Sequence, residues 1–327
     1  MLDNRRKKIV VFGGTVCLLL LPVIASLLGH EYFISLCSRI LIYSLAAVSL
    51  DLLLGFGGLV SLGHAAFVGV GGYVVAILFY HAYESEPIFG IIPGSENILI
   101  VLPCAILISA MIALVIGALS LRTRGMHFIM ITLAFAQMIF YLTVGLEKYG
   151  GDDGLSMYAR NQILFLDLSN DLQFYYFCLF FLLFFVFFIY RLVHSRFGLV
   201  IRGISSNERR LQTLGVNCYT YKLVCFVIAG SGAGLAGALL ANQTEYVSPG
   251  MMHWTLSGEL MVMVLLGGLG TIFGPIIGAF IFILLEDILG MFTEHWMVYM
   301  GPFLLLVVIF APKGLFGLLA GKQESDD

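Results

Sequence analysis

The stretch Leu256–Gly290, LSGELMVMVLLGGLGTIFGPIIGAFIFILLEDILG, decides how often this chain crosses a membrane. Read as a single helix it would run about 50 Å, too long for a hydrocarbon core of about 30 Å. Gly267–Pro275, GGLGTIFGP, interrupts it in the middle, so the spacing predicts two helices joined by a tight, glycine-rich turn. Working outward, apolar runs of about 20 residues occur near 9–28, 36–54, 62–80, 98–121, 127–146, 172–193 and 222–241, with a last one near 296–311. The expected fold is all-α: a polytopic membrane protein of about ten transmembrane helices, forming one transmembrane domain over residues 1–327.

Composition agrees with that reading. Apolar residues make up 60% of the chain and charged residues 11%, with a mean hydropathy of +1.00, whereas charged residues in soluble domains run to about a quarter. A net charge of −3, with no basic tract interleaved with aromatics, gives a nucleic-acid partner no footing. The six cysteines include no CxxC and mostly lie in apolar runs, so neither a metal site nor a disulfide framework is expected. The basic run Arg5–Lys8 ahead of 9–28 has the look of a signal peptide. The apolar run is, however, longer than an h-region of about 7–15 residues, which favours a retained first helix.

Charge then tests the count, because lysine and arginine in short loops favour the cytoplasmic side. With ten spans and the N-terminus inside, only Arg39, Lys148 and Arg160 of the 17 basic residues fall on the outer side. Nine spans would put Lys313 and Lys322 outside. The acidic loops 81–97 and 147–171 then face outward, while the loop 191–222 and both termini face the cytoplasm.

The loop 191–222, RLVHSRFGLVIRGISSNERRLQTLGVNCYTYK, is the one long polar interval dense in basic residues. Ser205 followed three residues later by Glu208 reads as a capping box, and Gly215 as a C′ residue, which predicts a helix over Ser206–Leu214. That helix is far too short to span a bilayer. Leu211 and Leu214 share one face, and Glu208, Arg209, Arg210 and Gln212 occupy much of the remainder. The residues alone fit either a helix lying at the membrane surface against a partner or a solvated loop held inside by its charge.

Glycines crowd three places. In span seven, Gly230-x-x-x-Gly234 is sufficiently explained by close helix packing. Around Gly57, Gly58, Ser61, Gly63 and His64, and around Gly267, Gly268 and Gly270, they are too dense for that reading. Helix breaks at membrane depth are tolerated where they are buried in protein or line a cavity, so both turns are candidate elements of a translocation pathway. Enzyme chemistry finds little support: the chain has no GxxxxGK[ST], no HExxH, no GxSxG and no row of intramembrane carboxylates. The polar groups within spans are Asp51, His64, His127, Gln137, Glu259, Glu286 and Asp287. Most lie close to an interface, and each taken singly fits a structural role better than substrate contact.

Five collinear segments carry a family likeness: Leu50–Tyr73 (LDLLLGFGGLVSLGHAAFVGVGGY), Gly150–Ser156 (GGDDGLS), Asn207–Ala241 (NERRLQTLGVNCYTYKLVCFVIAGSGAGLAGALLA), His253–Phe280 and Phe310–Leu319 (FAPKGLFGLL). Together they resemble the membrane permease subunits of branched-chain amino acid ABC importers, of the LivM/LivH kind. The resemblance implies a multi-pass protein of the bacterial inner membrane that moves branched-chain or similar hydrophobic amino acids into the cytoplasm. It implies as partners a second related permease, two cytoplasmic ABC ATPase subunits and an extracytoplasmic substrate-binding protein. ATP would be used by those partners, and this chain would bind no cofactor. Asn207, Glu208, Arg209, Leu211, Leu214 and Gly215 match the segment that docks on the ATPase. Urea permeases share much of the pattern, but usually show asparagines where this chain has Asp152-Asp153, which favours an amino acid. A stand-alone channel or secondary carrier is the rival class, and it gives the docking helix no purpose.

Overall fold

The computed structural model describes residues 18, 19, 22, 31–84, 87, 93–163, 167–293, 295–310 and 314–320. Seven helical stretches in it are long and apolar enough to cross a membrane. They are α1 (Glu31–Asp51) continued by a π-helical turn (Leu52–Phe56), α2 (His64–Tyr83), α3 (Ile98–Ser120), α4 (Met126–Val144), α5 (Asp171–Val193), α7 (Cys218–Thr244) and α9 (Gly274–Phe292). Between α5 and α7 lies the polar helix α6 (Arg196–Thr213). Two shorter apolar helices, α8 (Trp254–Gly267) and α10 (Trp296–Phe310), flank α9, and the seven-residue α11 (Gly314–Ala320) follows. The expected break inside 256–290 is present, and the expected spans from 36 onward each coincide with a helix. The expected first span, 9–28, lies outside the described residues apart from 18, 19 and 22.

Helix starts follow local chemistry. Asn97 and Asn170 cap α3 and α5, their side-chain oxygens accepting the N–H groups of Leu99 and Leu172 at 3.0 Å each. Pro275 stands in the first turn of α9, where its missing N–H leaves no intrahelical bond unmade.

The centre of the bundle is α7, buried without interruption from Gly232 to Asn242. Its glycines let neighbouring backbones touch: a Cβ on Gly237 would stand 1.8 Å from the Val68 carbonyl oxygen, and one on Gly71 of α2 would stand 2.0 Å from that of Gly234. Close approach of this kind substitutes for the hydrophobic drive that lipid cannot supply. On the periphery, Leu107 and Leu114 of α3 and Phe180 and Phe187 of α5 are exposed, as suits helices whose outer faces meet acyl chains.

The two ends of the bundle differ in charge. One end collects Arg122, Arg124 and the basic α6. At the other, acidic end, the connection 145–170 is pinned by a short antiparallel ladder, β1 (Leu155–Ser156) with β2 (Tyr246–Val247), which hydropathy gave no reason to expect. Arg160 staples the same connection: it pairs with Asp171 at 2.6 Å, donates to the Leu168 carbonyl at 3.0 Å and lies over the Phe174 ring.

A candidate coupling site where three helix breaks meet

The first break is in α6. Gly198, Ile201 and Ile204 recur every three residues and are buried, and they carry the helix from Arg196 through Ser205 without a stop. Asn207 then leaves the helical region (φ −156°, ψ 94°), and its Oδ1 accepts the N–H of Arg210 at 3.1 Å. The expected capping box of Ser205 with Glu208 is therefore not formed: burial of Ile201 and Ile204 moves the cap two residues on, to an asparagine equally suited to it. The C-terminal expectation holds. Gly215 adopts φ +81°, its N–H donates to the Gln212 carbonyl (3.0 Å), and the Val216 N–H donates to that of Leu211 (3.2 Å), which is the Schellman pattern. Leu211 and Leu214 do not share a buried face. Leu211 packs inward against Gly203, whereas Leu214 ends the helix 72% exposed, beside exposed Arg209 and Arg210.

Freed from capping, Glu208 holds the second half of α6 to two other elements. Its carboxylate pairs with Lys222 Nζ in the first turns of α7 at 2.9 Å and with Arg124, between α3 and α4, at 3.5 Å. Gln212 Nε2 donates to it at 3.3 Å. The Lys222 side chain is only 12% exposed, so the pair is shielded from water more than an ordinary surface bridge.

The second break runs from Leu52 to Gly63. The Gly57 N–H donates five residues back to Leu52 (3.2 Å) and that of Leu59 six back to Leu53 (2.9 Å), which widens the end of α1 into a π turn. Gly58 (φ +64°) sits directly beneath α6, where a Cβ would stand 2.6 Å from Ser205 Oγ. Ser61 is buried and accepts the Gly63 N–H. His64, fully buried, bonds Ser49 Oγ of α1 through Nε2 at 2.8 Å, and the neighbouring Ala65 N–H donates to Ser257 Oγ of α8 at 2.9 Å.

The third break, 268–273, joins α8 to α9. Gly268 (φ 114°, ψ 116°) and Gly270 (φ +69°) hold conformations that residues with a Cβ rarely adopt. The Gly270 N–H donates to Asp51 Oδ1 at 2.9 Å, and a Cβ on Gly55 would stand 2.2 Å from the Gly270 nitrogen. Gly314, at the start of α11, closes against Gly268 from the other side.

The three breaks are thus linked into a joint through neighbours of the candidate residues. Ser205 of α6 rests on Gly58, the π turn leads from Gly58 back to Gly55 and Asp51, and these hold the α8–α9 turn at Gly270. A cavity of about 270 Å³, lined in part by Gly58, Arg124, Ser205, Glu208 and Lys222, lies beside the joint. Arg124, Lys222, Asp51 and Gly55 belong to this site, although the sequence singled out none of them for it. Lys222 had one local signal, a cation in the first turns of an apolar span; nothing near Arg124 in sequence points to Glu208. The parts of the joint are a polar helix, a π-helical turn and a glycine turn.

Comparison with known proteins agrees with this architecture. Residues 32–311 match the family described as branched-chain amino acid transport system, permease component. The chain is 25% identical to the high-affinity branched-chain amino acid transport system permease protein LivM of Salmonella typhimurium, over 86% of this chain and 69% of that protein. It is 25% identical to LivM of Escherichia coli, over 92% and 73%. With the probable LivM of Methanocaldococcus jannaschii the identity is 24%, over 86% of this chain and 93% of the relative. No solved structure matches the chain. This chain therefore belongs to the family of permease components of branched-chain amino acid transport systems.

Proposed function

We propose that the chain is the membrane-spanning subunit of an ATP-driven importer that moves branched-chain amino acids into the cytoplasm. A second related permease completes the pathway, an extracytoplasmic binding protein delivers the substrate, and two cytoplasmic ATPase subunits supply the energy. The basic end of the bundle, with α6, faces the cytoplasm, and the same charge rule assigns both termini to that side of the membrane.

The observation that carries this reading is the joint. Arg209, Arg210 and Leu214 offer an exposed basic and apolar surface on α6, while Ser205 of the same helix meets Gly58 and Glu208 ties it to α7. Closure of an ATPase dimer against that surface would displace α6 as a rigid element. The displacement passes along α7 and, by way of the π turn, to the α8–α9 turn, biasing the bundle between its two openings. A channel or secondary carrier has no use for such a lever.

The decisive measurement is flux in proteoliposomes. L-Leucine uptake is expected only when the partner permease, ATPases and ATP are all present. Leucine flux through this chain alone would make it a carrier instead, and ATP-driven uptake of urea rather than leucine would change the substrate class.

Orientation has its own test. In a variant with its native cysteines replaced, a cysteine at Ser156 should react with an impermeant thiol reagent in whole cells, and one at Ser206 should not. The reverse pattern would invert the topology.

A further inference from the structure

A second cavity, of about 520 Å³, opens at the acidic end of the bundle, remote from the coupling joint. Its size falls in the range of small-molecule sites. One face of α1 lines it: Tyr32, Leu36, Arg39 and Tyr43 recur at helical spacing, so that face extends over roughly 16 Å of helix. Leu240 and Gln243 of α7, Met251 of the α7–α8 connection and Asp287 of α9 complete the lining relevant here.

The polar groups are arranged in an unusual way for a membrane-embedded cluster. Arg39 donates one N–H to Glu286 Oε1 at 2.9 Å and stands beside the Tyr43 ring, yet its side chain remains 37% exposed, with further guanidinium donors available. Asp287, next to Glu286 in sequence, accepts the Tyr32 hydroxyl and borders the cavity. The cluster thus holds one arginine and two carboxylates, Glu286 and Asp287, and the one negative charge left over favours a cationic group. Gln243 donates through Nε2 to the Ser35 carbonyl at 2.8 Å, and its Oε1 is buried with no partner among the described residues. A buried acceptor left unpaired is costly unless something supplies a donor. Leu36, Leu240 and Met251 supply apolar lining, beside the hydroxyl-bearing Ser35, Thr244, Tyr246 and Ser248.

We infer that this cavity binds one zwitterionic α-amino acid with a branched apolar side chain. The carboxylate is taken by the free N–H groups of Arg39, the ammonium by Asp287 and Gln243 Oε1, and the side chain by Leu36, Leu240 and Met251. The inference rests on the importer reading for its choice of ligand and adds to it a membrane site distinct from that of any binding protein. A pairing tie between α1 and α9 alone would explain Arg39 with Glu286, but not the cavity or the unpaired Gln243 oxygen.

The test uses the full chain in lipid nanodiscs and radiolabelled L-leucine. Saturable binding is expected, with 4-methylpentanoate, which lacks the ammonium, and L-leucinamide, which lacks the carboxylate, each competing about tenfold or more weakly than leucine. Arg39→Lys, which keeps the cation beside Glu286 but loses the fork, and Asp287→Asn should each weaken leucine binding by about tenfold. Met251→Trp leaves the ion pairs untouched and fills the cavity, so it should weaken binding too. Absence of saturable leucine binding, or unchanged affinity in all three variants, overturns the site. Leucine uptake by cells carrying the whole transporter separates the two readings. Uptake at the wild-type level in all three variants rejects the site and keeps the importer. Binding without any wild-type uptake rejects the importer and keeps the site.

Discussion

Replacing Gly268 by leucine is expected to abolish transport while the protein still reaches the membrane and assembles with its partners. At φ 114° and ψ 116° the residue lies outside the regions open to a side chain with a Cβ. Backbone strain of this type costs about 1–3 kcal/mol. The turn has little room to relax, because Gly314 of α11 packs so closely that a Cβ on it would stand only 2.3 Å from the Gly268 Cα. A bundle held by α7 and its close-packed neighbours should survive that cost, since Gly268 lies in a turn rather than within a helix. The turn itself should not keep its shape. Gly270, two residues on, would then lose its bond to Asp51, and with it the contact that joins the α8–α9 turn to the end of α1. Gly258→Ala is the control: it alters a glycine of the same helix α8 at a point where a Cβ meets nothing within 4 Å, and it should transport normally. ATP-driven leucine uptake by Gly268→Leu at the wild-type rate would reduce the turn to a linker.

The second large effect is expected at Glu208. In Glu208→Lys, three cations would gather where one carboxylate now holds Lys222 and Arg124. A charged hydrogen bond is worth about 1.5–3 kcal/mol, and the loss here is compounded by repulsion from Lys222, whose side chain is only 12% exposed. That is enough to detach the second half of α6 from α7, but far too little to unfold the bundle. Substrate-stimulated ATP hydrolysis by the assembled complex should fall about tenfold or more, each factor of ten corresponding to about 1.4 kcal/mol. The charge-swapped double variant, Glu208→Lys with Lys222→Glu, rebuilds the pair in reverse and should recover much of the stimulation. A failed rescue would mean that Glu208 acts by touching the ATPase rather than by tying α6 to α7. Unchanged stimulation in the single variant would remove the α6 joint from the mechanism altogether.

The parts of this protein written in its sequence are those governed by near neighbours. Hydropathy over about 20 residues marks where helices cross, since lipid obliges each crossing segment to satisfy its own backbone. The break at Gly267–Pro275 and the left-handed stop at Gly215 could be read directly, because a local run of glycine and proline permits little else. The location of the cap at the α6 kink was decided by tertiary structure. Ser205 and Asn207 are both good caps, and the choice fell to Asn207 because Ile201 and Ile204 find a core to bury in. The π turn is legible only once Gly55 is seen against Gly270 and Gly58 against Ser205, contacts between segments far apart in the chain. The same holds for charge. Counting arginines and lysines predicts which loops share a side, but it says nothing of Lys222 and Arg124 converging on Glu208, or of Arg39 meeting Glu286, which helix packing alone brings together.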